Sequence, residues 1–414
     1  MQEVYQMYPT ASSQKILYDF QKRALNQAKP NYFYALDTGT GKTITSIHHY
    51  MKFCRGEPLL IVAPPQKLKE GGWDRDIEFV SKEYGVSVDY ETLSYGKIAK
   101  DWSQYTDHFV IFDEAHYIKN PTSQRGKAAM HLTRKSTQFV LLTATPMSNG
   151  WEDAYNYMIM FGHYRNKTDM NKQHAIYGLK NFGAKSIPVI EGWTDTEVLQ
   201  SKFNSYAVSI SKDDALDLPP LVMRDITMNA SPEYRTIKKT RVLEDIAFDS
   251  PSKMAHGLRY YANHKDKIDY FIMLLEGTTN NVVVFYQYQA EINAMKEALK
   301  KMNKTVYEVS GKASKLPSKS EWESLRDSVT LVQYQAGSAG IELQYANVVL
   351  FYTPTYSFQD YSQAMGRTYR NGQTKKVTVY RYVTSKTIEE AVYAALERKE
   401  DFNEKLYIET KLGG

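Results

Sequence analysis

One stretch limits the folds open to this chain more than any other, residues 108–120, which read HFVIFDEAHYIKN. Phe109, Val110, Ile111 and Phe112 form an apolar run without polar alternation. That is the pattern of a parallel strand covered on both faces. Two acids, Asp113 and Glu114, follow at once. Parallel sheets of this kind bind ligands at the carboxyl ends of their strands, so an acid pair there has a chemical use. Asp113 can hold the water shell of a nucleotide's magnesium, and Glu114 can orient a water toward the γ-phosphate. Read alone, the same string is more often a solvated turn, and the nucleotide reading requires a second half elsewhere.

That half lies upstream. Tyr32 to Leu36 reads as a strand, followed by Asp37, Thr38, Gly39, Thr40, Gly41, Lys42 and Thr43 and then a helical stretch to about Cys54. Strand, glycine loop and helix form a phosphate cradle. The glycines let backbone N–H groups approach, the helix N-terminus is partially positive, Lys42 reaches the β- and γ-phosphates and Thr43 can ligand magnesium. The longer pattern G-x-x-x-x-G-K-[ST] would need glycine where Leu36 stands, and the shorter G-x-G-K-T is what remains. Gln21 sits in an amphipathic stretch just ahead, where its amide can match the edge of adenine or serve as an ordinary surface glutamine.

Other strand ends carry weaker signals. After the apolar run at 58–65, Lys67 and Trp73 can track a nucleic-acid backbone, Trp73 being equally a packing residue. Ser94 and Tyr95 stand at another strand edge as phosphate donors. Thr143 and Thr145 close the run at 138–142 and, with His116 of the acid loop, can relay the state of the γ-phosphate, or they cap the strand. The 33 tyrosines could offer stacking platforms for bases, but many lie in apolar runs and read as core.

The length, 414 residues, suggests two or three domains. A single cysteine rules out an internal disulfide, and 9 histidines without a close Cys/His cluster make a structural zinc site unexpected. The amino-terminal residues lack a basic opening and an apolar core, and no stretch approaches a membrane span. The expectation is a soluble cytoplasmic protein that does not engage membranes. A net charge of +5 is compatible with a polyanionic partner without requiring one.

Taken together, Gln21, GTGKT, APP followed by Trp73, DEAHYIKNPTSQRGKA and LLTATPMSNGWEDAYN resemble the Swi/Snf-type branch of the superfamily-two helicases. The likeness runs from about residue 17 to the late 390s and weakens over 151–265. It implies an α/β fold of two tandem RecA-like parallel-sheet lobes with helical protrusions between them. The lobes are expected at 1–229, with a helical insertion at about 151–215, and at 230–414, with a bracing helix at the carboxyl end. The family's arginine pair ahead of Leu-Pro-Pro is replaced here by Ser209 and Ile210.

In the second lobe, Ser310, Gly311 and Lys312 fall on a strand edge where relatives touch DNA. Gly337 and Ser338 open a glycine turn whose family pattern is A-G-G-x-G-L-N-L, with Glu342 in place of the asparagine. Gln363, Arg367 and Arg370 are four and three residues apart, a spacing that gives one helix face and two guanidinium forks for a phosphate. The resemblance implies ATP and Mg2+ as cofactors, a cleft between the lobes as the site, and Glu114, Lys42, Gln363, Arg367 and Arg370 as its catalytic groups. It implies a monomeric motor that tracks on duplex DNA, of the bare kind that prokaryotic or phage genomes encode. The alternatives are a strand-separating or annealing helicase, and an ATP-gated DNA clamp with little turnover.

Overall fold

The computed structural model describes residues 17–408, apart from 70, 148–149, 183–184, 216–217, 312, 335–340 and 405–406. The chain divides into two compact units, Met1–Leu216 and Asp217–Gly414. Lys312, Gly337 and Ser338, expected at a nucleic-acid contact, lie outside the described residues.

The first unit is built on a parallel sheet of β1 (Tyr32–Leu36), β2 (Leu59–Ala63), β3 (Tyr90–Ser94), β4 (Phe109–Asp113) and β5 (Gln138–Leu142). After β5 the chain makes a hairpin of β6 (Ala175–Phe182) and β7 (Lys185–Trp193), then returns to the sheet as β8 (Ala207–Ile210). The order across the sheet is β3-β2-β4-β5-β1-β8. Every residue of β1, β2, β4 and β5 is buried, which is why these strands read as continuous apolar runs. Both loops that end in charged or glycine residues, after β1 and after β4, therefore open on one edge of one sheet.

The insertion at 151–215 is not wholly helical. Helices Tyr155–Met160, Lys167–His174 and Thr196–Asn204 flank the β6–β7 hairpin, whose strands pair antiparallel. Ile176, Tyr177, Leu179 and Ile187 of this ribbon are exposed. The β-branched and aromatic content favours strands, and Pro188 is tolerated because a two-stranded ribbon consists of edges. The segment expected to carry the family's arginine pair is also strand. Ser209 pairs with Ala35 and Ile210 with Leu36, and the Asp37 N–H donates to the Ile210 carbonyl at 3.2 Å.

In the second unit, β9 (Leu221–Met228) comes first, then a short hairpin of β10 (Val242–Leu243) and β11 (Ile246–Ala247). The sheet continues with β12 (Val282–Tyr286), β13 (Thr305–Val309), β14 (Ser314–Lys315), β15 (Ser328–Gln333), β16 (Val348–Phe351) and β17 (Val377–Thr384), in the order β14-β13-β15-β12-β16-β17-β9. The expected lobe boundary at 229/230 differs from this division, because β9 pairs in parallel with β17 over all eight residues. An edge strand is half solvated, and Arg224 and Asp225 give β9 the polar look of a linker. Among the described residues, no helix of either unit is long and apolar enough to cross a membrane.

Burial has made one polar cluster part of the second core. Lys267 Nζ donates to Thr353 Oγ1 at 2.7 Å and to Glu389 Oε1 at 2.5 Å. Thr353 Oγ1 donates onward to Glu291 Oε1 at 2.6 Å. Glu291 Oε2 accepts from the Gln287 and Tyr288 N–H groups and Glu389 Oε2 from the Thr384 N–H, all at 2.9 Å. Lys267, Glu291, Thr353 and Glu389 are all 2% exposed or less. The network pins helices Lys265–Glu276, Gln289–Leu299 and Ile388–Glu397 to the end of β16.

The first core holds an imidazole instead. His49, on helix Lys42–Phe53, has Nδ1 2.9 Å from the Tyr34 hydroxyl and Nε2 3.1 Å from the Pro30 carbonyl. Its Nε2 carries the proton, since a carbonyl can only accept. Burial pushes its pKa down to about 3. The folded value lies below the unfolded one of about 6.5, so stability is fully present above the unfolded pKa and is lost as pH falls toward the folded one. By pH 5 the loss attributable to His49 is about 2 kcal/mol. Thermal unfolding of the parent chain and of His49→Gln should therefore show a gap at pH 7.5 that narrows at pH 5. A gap independent of pH would remove His49 as the cause.

At the end of the same helix the chain's one cysteine, Cys54, is buried, and its Sγ accepts from the Gly56 N–H at 3.3 Å.

Candidate nucleotide site

The glycine loop folds as its composition requires. Gly39 and Gly41 have φ of 82° and 78°, left-handed values that cost glycine nothing. Gly41 is the N-cap of helix Lys42–Phe53, so the first N–H groups of that helix face the loop without intrahelical partners. Thr40 Oγ1 donates to the Asp37 carbonyl at 2.7 Å and locks the turn. Lys42 is buried, and its ammonium donates to the Leu36 carbonyl at 2.9 Å and the Asp37 carbonyl at 3.2 Å. Burial pulls its pKa below the ordinary lysine value, against the pull of the neighbouring Glu114 and Asp113.

Gln21 is where the structure departs from an open adenine reader. Its Nε2 donates to the Thr40 carbonyl at 2.9 Å and the Gly41 carbonyl at 3.3 Å, while Oε1 accepts from the Tyr18 N–H at 2.8 Å. Gln21 is 2% exposed, so the amide braces the phosphate loop from behind. A Cβ on Gly41 would stand 2.5 Å from that Nε2 and displace the amide, and the φ of 78° would strain any residue with a side chain there.

The acid pair stands at the end of β4. Asp113 is fully buried, and neither of its carboxylate oxygens accepts a hydrogen bond. The Lys67 ammonium lies 2.6 Å from Asp113 Oδ2 as an ion contact, without hydrogen-bond angles, and 3.6 Å from Glu114 Oε1. Glu114 has φ 55°, a left-handed value that strains a non-glycine residue and turns its carboxylate out of the strand direction. His116 Nδ1 is 3.4 Å from Glu114 Oε2 and 3.1 Å from Thr143 Oγ1, and Thr143 Oγ1 accepts from the Thr145 N–H at 3.2 Å. Burial lowers the His116 pKa to about 4 and leaves the ring neutral near pH 7. Acid loop and threonine strand end are thus joined through one imidazole.

Two residues expected to meet nucleic acid contact Asp113 in this structure. Tyr95 is 2% exposed, and its hydroxyl donates to the Asp113 carbonyl at 2.9 Å. Lys67, on the short helix Pro65–Lys69 after β2, points at the acids because β2 and β4 are parallel neighbours ending on the same edge. Ser94 remains half-buried at the end of β3.

Sequence reasoning missed the braces of the acid loop. Lys119 Nζ meets Asp153 Oδ2 at 2.8 Å, the Asn156 amide donates to the carbonyls of Ile118 and Gly126 at 2.5 and 3.2 Å, and the Tyr157 hydroxyl donates to the Ala115 carbonyl at 3.2 Å. Asp153 and Asn156 belong to the block WEDAYN, and Tyr157 follows it directly. A Cβ on Gly126 would fall 1.9 Å from the Asn120 carbonyl oxygen, so the turn after the acids closes only over glycine.

Among the described residues, no group of three or more His, Cys, Asp or Glu side chains converges as a metal cage. Magnesium carried by a nucleotide needs less. One or two carboxylates plus phosphate and water suffice, and the buried, hydrogen-bond-free Asp113 beside the glycine loop fits that demand.

In the second unit, helix Phe358–Thr368 carries Gln363 and Arg367, and the Arg367 carbonyl accepts from the Leu343 N–H at 3.0 Å. The helix ends at Thr368, so Arg370 does not share its face as the spacing suggested. Arg370 lies in the loop beyond, where Gln373 Nε2 holds the backbone by donating to the carbonyls of Ala346, Gln344 and Thr368 at 2.8, 3.1 and 3.3 Å. Glu342 pairs with Lys319 and lies 3.8 Å from Arg370 Nη2. Ser310 Oγ donates to Glu308 Oε1 at 3.0 Å, and Gly311 is exposed beside it.

Residues 73–176 match the SNF2-related domain and residues 265–372 the helicase conserved C-terminal domain. The glycine loop precedes the first match, which contains both acids. An uncharacterized ATP-dependent helicase of Mycoplasma pneumoniae is 25% identical over 431 aligned positions, covering 94% of this chain and 41% of the relative. The SWI/SNF-related matrix-associated actin-dependent regulator of chromatin subfamily A-like protein 1 of Xenopus tropicalis is 24% identical over 427 positions, covering 92% of this chain and 44% of the relative. The chain therefore spans less than half the length of these relatives. A solved structure of the Sulfolobus solfataricus SWI2/SNF2 ATPase core in complex with dsDNA aligns over 96% of this chain and 93% of that one, at 18% identity and a TM-score of 0.41.

Proposed function

We propose, for a chain that belongs to the Swi/Snf-type branch of the superfamily-two helicases, ATP hydrolysis coupled to movement along nucleic acid, with duplex DNA as the track. The observation that carries this reading is the Asp113 carboxylate, fully buried and without a hydrogen bond, one residue ahead of Glu114 at the strand edge that also presents the glycine loop.

Thr43 and Asp113 are the residues that would hold a nucleotide's magnesium, which would supply charge neutralisation at the phosphates. The N–H groups from Thr38 to Thr43 cradle the phosphates, and Lys42 exchanges its two carbonyl partners for phosphate oxygens. Gln21 keeps the loop in shape. Glu114 orients the attacking water, and the neutral His116 passes the state of that carboxylate to Thr143 and Thr145. Arg367, Arg370 and Gln363 of the second unit are assigned to the γ-phosphate as charge develops on it. Ser94, Ser310 and Gly311 are assigned to the phosphates of the track, along with Lys312, Gly337 and Ser338.

The test is the steady-state rate of phosphate release with no nucleic acid, with blunt duplex, with single-stranded DNA and with RNA. Strong stimulation by blunt duplex is expected, and Lys42→Ala should abolish both nucleotide binding and turnover. Normal turnover in Lys42→Ala would show the cradle to be misassigned. A second reading, strand separation, is favoured by the two-stranded β6–β7 ribbon with Tyr177 and Leu179 exposed. Stimulation mainly by single strands or RNA would move the assignment to it.

A further inference from the structure

Lys67 sits against the carboxylate that would hold a nucleotide's metal. Its ammonium is 2.6 Å from Oδ2 of a carboxylate with no hydrogen bond, whereas Lys42 is engaged with backbone carbonyls. A magnesium ion bonds oxygen at about 2.1 Å. An ammonium and a divalent cation on one oxygen repel, so the two compete. Lys67 also has a way out. Its side chain is 27% exposed, against 0% for Asp113, and it stands on a short helix at the carboxyl edge of β2.

We propose that Lys67 is a built-in counter-ion of the acid pair, displaced by the nucleotide's divalent cation and captured on release by a phosphate of the bound nucleic acid. The inference rests on the reading of Asp113 as the metal acid. In this arrangement Lys67 is a positioning residue. Its ammonium can neutralise Asp113 or a nucleic-acid phosphate, one at a time. A phosphate that draws it outward leaves Asp113 open to the metal. By linkage, the metal that expels it strengthens the hold on nucleic acid by the same factor. One lysine side chain then joins track and nucleotide, without any contact between the two ligands.

The experiment is a magnesium titration of the full chain at fixed concentration of a fluorescent ADP analogue, followed by anisotropy, with and without blunt duplex DNA. Lys67→Met is expected to reach half-maximal binding at about tenfold less magnesium than the parent, a coupling of ordinary size. Duplex should lower the requirement of the parent toward that value and leave Lys67→Met unmoved, and Lys67→Arg should behave as the parent. Binding at saturating magnesium serves as the check that Lys67→Met is folded. An unchanged or higher magnesium requirement in Lys67→Met overturns the proposal, as does an equal duplex effect in both proteins. Asp113→Asn separates the two failures: if it too leaves the requirement unchanged, Asp113 is not the metal acid, and the nucleotide-site reading is at fault.

Discussion

Glu114→Gln is expected to bind a fluorescent ADP analogue as the parent does and to release phosphate about 10²–10⁴ times more slowly, the range for loss of a positioned acid–base group. The substitution keeps the size of the side chain and removes its charge. Its neighbours are the Lys67 ammonium at 3.6 Å and His116 Nδ1 at 3.4 Å, and an amide can meet both without steric change. The backbone strain at φ 55° is the same for glutamine as for glutamate, so no folding penalty arises there. Binding and turnover measured on one preparation give the result. If binding is lost together with turnover, Glu114 is holding the loop rather than the water.

The largest effect on stability is expected from Lys267→Met. Removing the ammonium leaves Glu389 and Glu291 buried with backbone and threonine donors as their remaining partners. Breaking one side of a buried ion pair costs about 3–5 kcal/mol, because the surviving charge stays out of water. For a unit of this size that is roughly 6–20 °C in unfolding midpoint. Calorimetry of the whole chain should show the transition of the second unit falling while that of the first stays in place. Adding Glu389→Gln to Lys267→Met should recover part of the loss. A midpoint unchanged in Lys267→Met would mean that water reaches the network.

How far the sequence discloses this molecule depends on the distance over which each signal acts. The glycine loop is local. Strand, left-handed glycines and helix lie within some twenty consecutive residues, and their order alone positions Lys42. The strand β4 is legible for the same reason, being buried on both faces. The contact of Lys67 with the acids is not legible in the sequence, because its partner is fixed by sheet order. Only the pairing of β2 with β4 turns a basic residue after one strand toward the acids after the other. Arg370 leaves the helix face that its spacing suggests, because spacing presumes that a helix continues, and this one stops at Thr368. The strand β9 and the β6–β7 ribbon escaped notice through exposure. Half-solvated strands lack the apolar run that marks a buried one, and β9 finds its partner about 150 residues later in the chain.

Glu342 shows the same limit from another side. As a letter it is a departure from a family pattern, with no direction attached. In space it stands between Lys319 and Arg370, and its charge bears on an arginine assigned to the γ-phosphate.

The burial of Cys54 has a practical side. A thiol enclosed at the end of the helix that follows the glycine loop, in a chain with no second cysteine, leaves the surface silent to maleimide dyes. One cysteine introduced on the exposed face of each unit would accept a donor and an acceptor fluorophore without stripping out native residues. The distance between the units could then be followed in single molecules as nucleotide and DNA are added, using a protein otherwise identical to the parent.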